Sequence, residues 1–170
     1  MQIIADVIEM VDKEEELNFE MLYALPLDDQ KVLRAFAEAD VTGVFQFDGR
    51  TTRNITEKVF KNLPEDAEID FNVLADINAL SRPGSLISGM TKRYEGVAQG
   101  TKEPEKYHPI VNPILETTNG CLVYQEQVMS IGREMGKFPG AKVGALRRII
   151  GKKKAGGAFE AFYEEFLEGA

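Results

Sequence analysis

The stretch DFNVLADINALSRPG, residues 70–84, decides how this chain folds. Its apolar residues recur at the three- and four-residue spacing of an α-helix: Phe71, Val73, Leu74, Ile77 and Leu80. The pattern stops at SRPG, because the residue before a proline is pushed out of helical geometry and a glycine follows. The stretch therefore predicts a helix over residues 70–80 and, directly after it, a sharp turn that carries Arg82.

Helical spacing recurs along the rest of the chain, without a clear hairpin signal or an internal repeat. Further helices are predicted over or near residues 1–20, 28–38, 51–61, 109–116, 123–136, 140–150 and 158–170, with a short one around Lys92 and Arg93. Only the apolar run VFQF, residues 44–47, is compatible with either a strand or the entry to a helix. The predicted fold class is mainly α: a helical domain with long loops and at most a minor β element.

The composition restricts the class of protein. Of the 170 residues, 44% are hydrophobic and 28% are charged, and no window approaches the roughly 18 apolar residues of a membrane span. The acidic N-terminus lacks the basic start of a secretory signal, so a cytoplasmic protein is expected. The single cysteine, Cys121, forms no intrachain disulfide and has apolar neighbours, so it is predicted to be buried. The single histidine, His108, has no second histidine or nearby cysteine with which to form a zinc site.

The charge is unevenly distributed. The net charge is −8, but residues 1–80 hold 7 basic against 18 acidic residues, whereas residues 82–154 hold 13 against 6. A basic middle between acidic ends is typical of a protein with a phosphate-bearing partner. A chance segregation of surface charges explains the same pattern, and charge alone does not decide between the two.

Three segments contain candidate functional residues. In ALRRIIGKKK, residues 145–154, the apolar residues share one side of a helix while Arg147 and Arg148 point away. Such cations bind phosphate oxygens, although they also stabilise a helix C-terminus on their own. Arg82, in a turn followed by glycines, suits either a phosphate ligand or a cap on the preceding helix. Tyr124 suits either stacking on a base or a half-buried position with its hydroxyl at the surface.

Four segments occur in one order: GVFQF (43–47), LSRPGSLISGM (80–90), NGCLVYQEQVM (119–129) and LRRIIGKKK (146–154). This order resembles the bacterial DNA polymerase III alpha subunits, the C-family replicative polymerases, whose stretches read close to GVFQLES, YRPGP with SGM, YGI with YQEQVM, and LRRAMGKKK. The resemblance covers about Leu25 to Ala170. The chain departs from the family at LSRPGS, where a second proline is usual, and at GGAFEAFYEEF, where a more charged helix is usual.

In that family this region leaves the end of the palm and builds the helical fingers, which close over the incoming deoxynucleoside triphosphate (dNTP) and the template–primer end. The resemblance implies that residues 1–48 are an acidic, helical lead-in from the palm and that residues 49–170 are part of the fingers. It implies nucleotide and phosphate contacts at Arg82, Tyr124, Gln125, Arg147 and Arg148. It implies DNA contacts at Lys152, Lys153, Lys154, Lys92 and Arg93.

The resemblance implies that catalysis takes place elsewhere. The family's chemistry uses two Mg²⁺ ions held by palm aspartates in a D-x-D setting, and this sequence has no such motif. No cofactor and no catalytic residue are therefore expected in this chain. The expected partners are DNA, dNTP and a palm-bearing polymerase chain or another replication protein, with no membrane.

Three hypotheses follow for the function. The first is a fragment or split subunit, from a bacterial or phage gene, that supplies fingers contacts to a replicative polymerase. The second is a non-catalytic binding module that modulates a host polymerase. The third is a decayed remnant that has kept its fold and lost its function.

Overall fold

A computed structural model describes residues 2–11, 18–151, 157 and 159–170. These residues form eleven α-helices and no β-strand, which confirms the mainly α fold. The helices are α1 (Gln2–Met10), α2 (Phe19–Ala24), α3 (Gln30–Ala37), α4 (Arg50–Val59), α5 (Phe71–Leu80), α6 (Pro83–Ser88), α7 (Met90–Ala98), α8 (Asn112–Leu115), α9 (Gln125–Glu134), α10 (Gly140–Gly151) and α11 (Glu160–Gly169). A 3₁₀ turn, Glu116–Thr118, follows α8 directly. None of the described helices has both the length and the apolar character that crossing a membrane requires.

Two N-terminal segments differ in detail from the prediction. The single helical pattern of residues 1–20 is divided between α1 and the start of α2, and residues 12–17 lie outside the described residues. The VFQF run is neither strand nor helix entry but a series of turns. Positive φ angles at Gly43 (78°) and Gln46 (65°) interrupt both regular conformations.

The segment directly after α5, predicted to be a sharp turn that carries Arg82, contains α6. Pro83 occupies the first helical position, where its fixed φ suits the helix and its missing N–H is not needed. Arg82 is the N-cap residue, in extended geometry. The helix ends at Gly89, whose φ of 79° favours glycine, and α7 begins at once. The Thr91 hydroxyl then donates to the Leu80 carbonyl (2.8 Å), so the start of α7 is fixed to the end of α5.

Part of the acidic charge of the N-terminal half caps helices. At the start of α3, Asp29 accepts hydrogen bonds from the backbone N–H groups of Lys31 (2.9 Å) and Val32 (3.3 Å). At the start of α5, Asp70 accepts one from the N–H of Asn72 (2.9 Å). Each carboxylate satisfies a free N–H group and lies near the positive end of the helix dipole. These aspartates therefore have a structural role.

The core lies where α4, α5 and α7 meet. Tyr94, Ile77 and Leu80 are its largest completely buried side chains. Further members come from the whole first half of the chain and from the segment before α9: Leu33, Val41, Phe47, Ile55, Val59, Ile69, Leu74 and Cys121. The predicted burial of Cys121 is confirmed, and burial raises the pKa of its thiol, which disfavours the reactive thiolate.

Two side chains of α3 hold the loop that leads into α5. The Arg34 guanidinium donates to three carbonyl oxygens of that loop, at 3.2, 2.9 and 2.7 Å: Pro64, Glu65 and Ala67. The Gln30 amide pairs with the backbone of Ile69, accepting from its N–H (2.8 Å) and donating to its carbonyl (3.1 Å). The start of α5 is thereby fixed against α3.

The C-terminal helix α11 packs on the pair formed by α9 and α10 through aromatic contacts. The Phe138 ring meets Phe162 and Phe166 edge-on, with ring centroids 5.9 and 6.1 Å away. The Lys142 ammonium lies over the Phe138 and Phe162 rings and forms an ion pair with Glu165. The aromatic sequence of α11, unusual for the resembled family, therefore serves this contact.

Candidate functional site

The turn at Arg82 and the helix start at Tyr124, predicted separately, meet in one cleft of about 800 Å³. One wall is the end of α5 with the beginning of α6, and the opposite wall is residues 122–126 at the start of α9. The walls are far apart in sequence, but Leu80 at the end of α5 and Cys121 just before the second wall belong to the same core, which brings the walls together. Three of the residues that the resemblance singled out, Arg82, Tyr124 and Gln125, therefore share one site.

Arg82 presents an unpaired cation to the cleft. Its side chain is exposed and forms no hydrogen bond or ion pair with any described residue. The end of α5 is closed instead by Ser81, whose backbone N–H donates to the Ile77 carbonyl (3.0 Å). Capping of α5 by the Arg82 side chain, one of the two alternatives, thus has no support in these contacts.

Tyr124 is one of the residues that line the cleft, and its hydroxyl points towards the interior. The hydroxyl donates to Oδ1 of Asp76 at 2.5 Å, so it is not free at the surface as one alternative expected. Oδ2 of the same carboxylate accepts a hydrogen bond from the Tyr94 hydroxyl at 2.8 Å. Asp76 is only 3% exposed, and these two hydroxyls replace the water that a buried carboxylate has lost.

In the cluster formed by Asp76, Tyr94 and Tyr124, burial is the main cause of the shifted pKa values. It raises the pKa of Asp76 above the ordinary value of 3.8, and the hydrogen bonds from Tyr124 and then Tyr94 oppose that shift. The pKa of each tyrosine is also raised, first by burial and then by its interaction with Asp76. Both hydroxyls therefore stay protonated at neutral pH and can act as donors.

Gln127 builds the wall that carries Tyr124. Its Oε1 accepts from the backbone N–H groups of Val123 (2.8 Å) and Tyr124 (2.9 Å), which precede α9. Its Nε2 donates to the Thr118 hydroxyl (2.7 Å) and to the Ile114 carbonyl (3.2 Å). A glutamine at the third helical position that reaches back to the N-cap is a known way to fix a helix start.

Gln125 and Glu126 complete the second wall, and both are exposed at the beginning of α9. Gln127, which follows them on the same helix, is buried instead. The lining of the cleft thus includes one cation, Arg82, and one anion, Glu126. An anionic ligand would be attracted by the first and repelled by the second.

The arginines of α10 are accessible but do not line the cleft. Arg147 and Arg148 are exposed, whereas Leu146 beside them is buried, as the helical pattern predicted. Neither arginine forms an ion pair or hydrogen bond with a described residue, which leaves both available for an outside partner. The predicted lysines, Lys152 to Lys154, lie outside the described residues.

The two predicted cations of α7 have different surroundings. Lys92 is exposed, and no described residue forms an ion pair with it. Arg93 is partly buried, forms an ion pair with Glu105 and donates to the Tyr107 hydroxyl (2.6 Å). Contact between Arg93 and a phosphate would therefore have to compete with Glu105.

Sequence reasoning overlooked three residues of the site: Asp76, Tyr94 and Gln127. A signal for Asp76 was present, because it lies three residues after Val73 and four before Leu80, within the apolar stripe of α5. An acidic residue at such a position needs a hydrogen-bond partner in the interior. The partners themselves, 18 and 48 residues away, have no signature in the pattern.

Comparison with known proteins agrees with the resemblance. Over residues 1–170 the chain matches the family described as the bacterial DNA polymerase III alpha subunit finger domain. It is 38% identical to the DNA polymerase III subunit alpha of Yersinia pestis, with 82% of the chain and 11% of that protein covered. For the same subunit of Aquifex aeolicus the identity is 37%, with 91% and 12% covered, and for that of Staphylococcus aureus it is 30%, with 100% and 15% covered. The chain thus spans 11% to 15% of the length of these relatives.

Proposed function

The chain belongs to the finger-domain family of bacterial DNA polymerase III alpha subunits, and on that premise we propose that it supplies fingers contacts to an incoming dNTP and to template–primer DNA. The observation that carries the proposal is the cleft in which the unpaired Arg82 faces the start of α9. Its volume, about 800 Å³, falls within the range of small-ligand sites.

Each cleft residue has a defined part in the proposal. The Arg82 guanidinium binds phosphate oxygens, for which its planar set of donors is suited. The Tyr124 ring and the Gln125 amide, on the opposite wall, contact the base or sugar of the nucleotide. The triphosphate approaches Arg82 and stays away from Glu126, because like charges repel.

The cations outside the cleft are proposed to hold the DNA backbone. Arg147 and Arg148 supply exposed guanidinium groups, and Lys92 supplies an exposed ammonium group. Arg93 is proposed to join them when its ion pair with Glu105 is broken. Lys152 to Lys154, which lie outside the described residues, are proposed to contact DNA on the strength of the resemblance alone. Such contacts release counterions from DNA, so they make binding depend on salt without reading the base sequence.

The two-metal chemistry of the polymerase is proposed to take place in the palm and not in this chain. The acidic residues described above do not fit a metal site: Asp29 and Asp70 cap helices, and both oxygens of Asp76 accept hydrogen bonds from tyrosines. Among the described residues no group of three or more potential ligands is placed to hold a metal ion. DNA synthesis is therefore expected only when a palm-bearing polymerase chain is added.

The nucleotide site can be tested by measuring dATP affinity by calorimetry. Arg82→Ala should weaken binding strongly, whereas Glu126→Gln should strengthen it because a repulsive charge is removed. Arg133→Ala is the matched control: Arg133 is exposed, pairs with its neighbour Glu134 and does not line the cleft, so affinity should not change. Equal affinity for the wild type and Arg82→Ala would show that this cleft does not bind the triphosphate.

The DNA surface can be tested with a labelled primer–template duplex between about 50 and 200 mM salt. Arg147→Ala combined with Arg148→Ala should weaken binding to all sequences and flatten the salt slope by about 2. The control, Arg50→Ala combined with Lys61→Ala, removes the same charge from two exposed positions in the acidic half. An unchanged slope in the first variant would mean that this pair does not touch phosphate.

A second function, binding to a replication protein, is favoured by one observation. Helix α1 has no buried residue, and its apolar side chains Ile3 and Met10 are 78% and 83% exposed. Exposed apolar surface of this kind marks protein contacts. A pull-down with purified DNA polymerase III alpha subunit, compared with the variant Ile3→Ser plus Met10→Ser, distinguishes this function from nucleotide binding.

A further inference from the structure

We propose that Asp76 is a positioning residue that holds the Tyr124 ring in the wall of the cleft by accepting a hydrogen bond from its hydroxyl. The inference rests on the proposed nucleotide site and adds a residue that lies behind that site. Asp76 does not itself line the cleft, although its neighbours on α5, Ala75 and Asn78, do. Its effect on a ligand is therefore transmitted through Tyr124.

Both oxygens of Asp76 are engaged, and each by a different part of the fold. Oδ1 accepts from Tyr124, at the start of α9, and Oδ2 accepts from Tyr94, on α7. None of the ion pairs formed among the described residues involves Asp76. A buried carboxylate without a cationic partner is stabilised only by the groups that donate hydrogen bonds to it. Breaking either bond is therefore costly, and each bond holds its tyrosine side chain in one orientation.

The bond to Tyr124 also connects the two walls of the cleft. The first wall is formed by the end of α5 and by Arg82, and the second by residues 122–126. Among the described residues, the contact between Asp76 and Tyr124 is the side-chain hydrogen bond that joins α5 to the second wall. The hydrogen bond between Asp76 and Tyr94 does not connect the two walls, because Tyr94 is 2% exposed and does not line the cleft.

The consequence for binding follows from the freedom of the tyrosine side chain. An untethered side chain distributes over about three staggered χ1 rotamers, of which the tethered one presents the ring to the cleft. Apparent affinity falls in proportion to the population of the competent conformation. Losing the tether should therefore weaken nucleotide binding about threefold, with every atom of the ring still present.

Two phenylalanine variants provide a matched pair for the test. Tyr124→Phe and Tyr94→Phe each remove one hydroxyl donor from the same carboxylate, but only Tyr124 belongs to the cleft wall. In the full chain, dATP affinity by calorimetry and unfolding by urea should be measured for both. We expect both to lower the urea midpoint, and only Tyr124→Phe to weaken dATP binding.

A double variant shows whether Asp76 acts through Tyr124. Asp76→Leu, whose side chain cannot accept a hydrogen bond, should also weaken dATP binding, and adding Tyr124→Phe should weaken it little further, since both changes break the same hydrogen bond. Additive losses in affinity would contradict this. If Tyr94→Phe lowers dATP affinity as much as Tyr124→Phe, or if neither changes it, Asp76 has only a structural role and the inference is overturned.

A second measurement separates this inference from the proposed function. If the wild-type chain does not bind dATP, the nucleotide site fails, but the ring of Tyr124 can still be followed by NMR with ¹³C-labelled tyrosine. Asp76→Leu should change the Tyr124 ring signals from those of one fixed rotamer to a mobile average and leave Tyr23, exposed on α2, unchanged. A Tyr124 ring equally ordered in the wild type and Asp76→Leu would overturn the positioning role.

Discussion

Replacing Gln127 with leucine should destabilise the fold because it removes the side chain that organises the start of α9. The glutamine is 7% exposed and forms four hydrogen bonds, two of them to backbone N–H groups of the segment before the helix. Leucine has a similar size and is apolar, so the change removes the hydrogen bonds and leaves the space filled. The N–H groups of Val123 and Tyr124 would then lose their side-chain partner.

The magnitude follows from those four contacts. At about 1 kcal/mol net for each hydrogen bond, the loss is about 4 kcal/mol. Burying the leucine side chain recovers about 1.5 kcal/mol. The free energy of unfolding should therefore fall by about 2 to 3 kcal/mol, which is a large fraction of the stability of a domain.

Urea unfolding followed by far-UV circular dichroism measures this loss. With a slope of about 2 kcal/mol per M, the midpoint should fall by about 1 to 1.5 M and the slope should stay unchanged. Gln125→Leu is the matched control, because Gln125 is exposed two residues earlier on the same helix, and its midpoint should hardly move. A loss below about 0.5 kcal/mol for Gln127→Leu, the range of ordinary surface substitutions, would refute the reasoning.

Three further predictions concern the same fold. Burial raises the pKa of Asp76, so the folded protein binds a proton on this carboxyl more tightly than the unfolded chain does. Protonated Asp76 therefore contributes to the free energy of unfolding below about pH 3.8, and this contribution is lost as the pH rises through the raised pKa. Urea midpoints of the wild type minus those of Asp76→Asn should accordingly decrease with pH above that value, and a flat difference would contradict the shift. Arg34→Lys should lower the free energy of unfolding by about 1 to 2 kcal/mol in the same urea assay, because an ammonium cannot reach all three carbonyls that the guanidinium binds. A loss no larger than that of Arg50→Lys, at an exposed position, would contradict this prediction. Gly120→Ala should lower the thermal midpoint markedly, since its φ is 71° and a Cβ would lie 2.9 Å from a backbone oxygen, whereas Gly140→Ala, where a Cβ meets nothing, should not.

The helices could be predicted from the sequence because their signals are local. Helix α5 begins one residue after the aspartate that caps it and ends at Leu80, as the apolar spacing and the following SRPG indicated. Helix α6 escaped prediction because the same SRPG signal both ends one helix and begins the next. The residues SRPG are typical both of the end of a helix and of the start of one, so the sequence alone does not predict whether the residues after Pro83 are helical.

The site could be predicted only in part. The resemblance selected Arg82 and Tyr124 independently, and the structure brings them into one cleft. The way in which Tyr124 is held could not be read from the sequence, because its partner Asp76 lies 48 residues earlier and the contact depends on how α5 and α9 pack. The roles of Arg147 and Arg148 remain predictions, since their exposure is compatible with DNA binding and does not by itself test it.

The two hydrogen bonds of Asp76 also bear on the order in which the protein folds. The bond to Tyr94 closes a loop of 18 residues, and the bond to Tyr124 closes one of 48. Closing the longer loop costs about 0.9 kcal/mol more in chain entropy. The longer loop also contains the whole of α6, α7 and α8. Contacts that span a long sequence tend to form late. The cleft is therefore expected to be among the last parts of the chain to assemble, with the core of α4, α5 and α7 already in place, so that substitutions at Tyr124 should speed unfolding more than they slow folding.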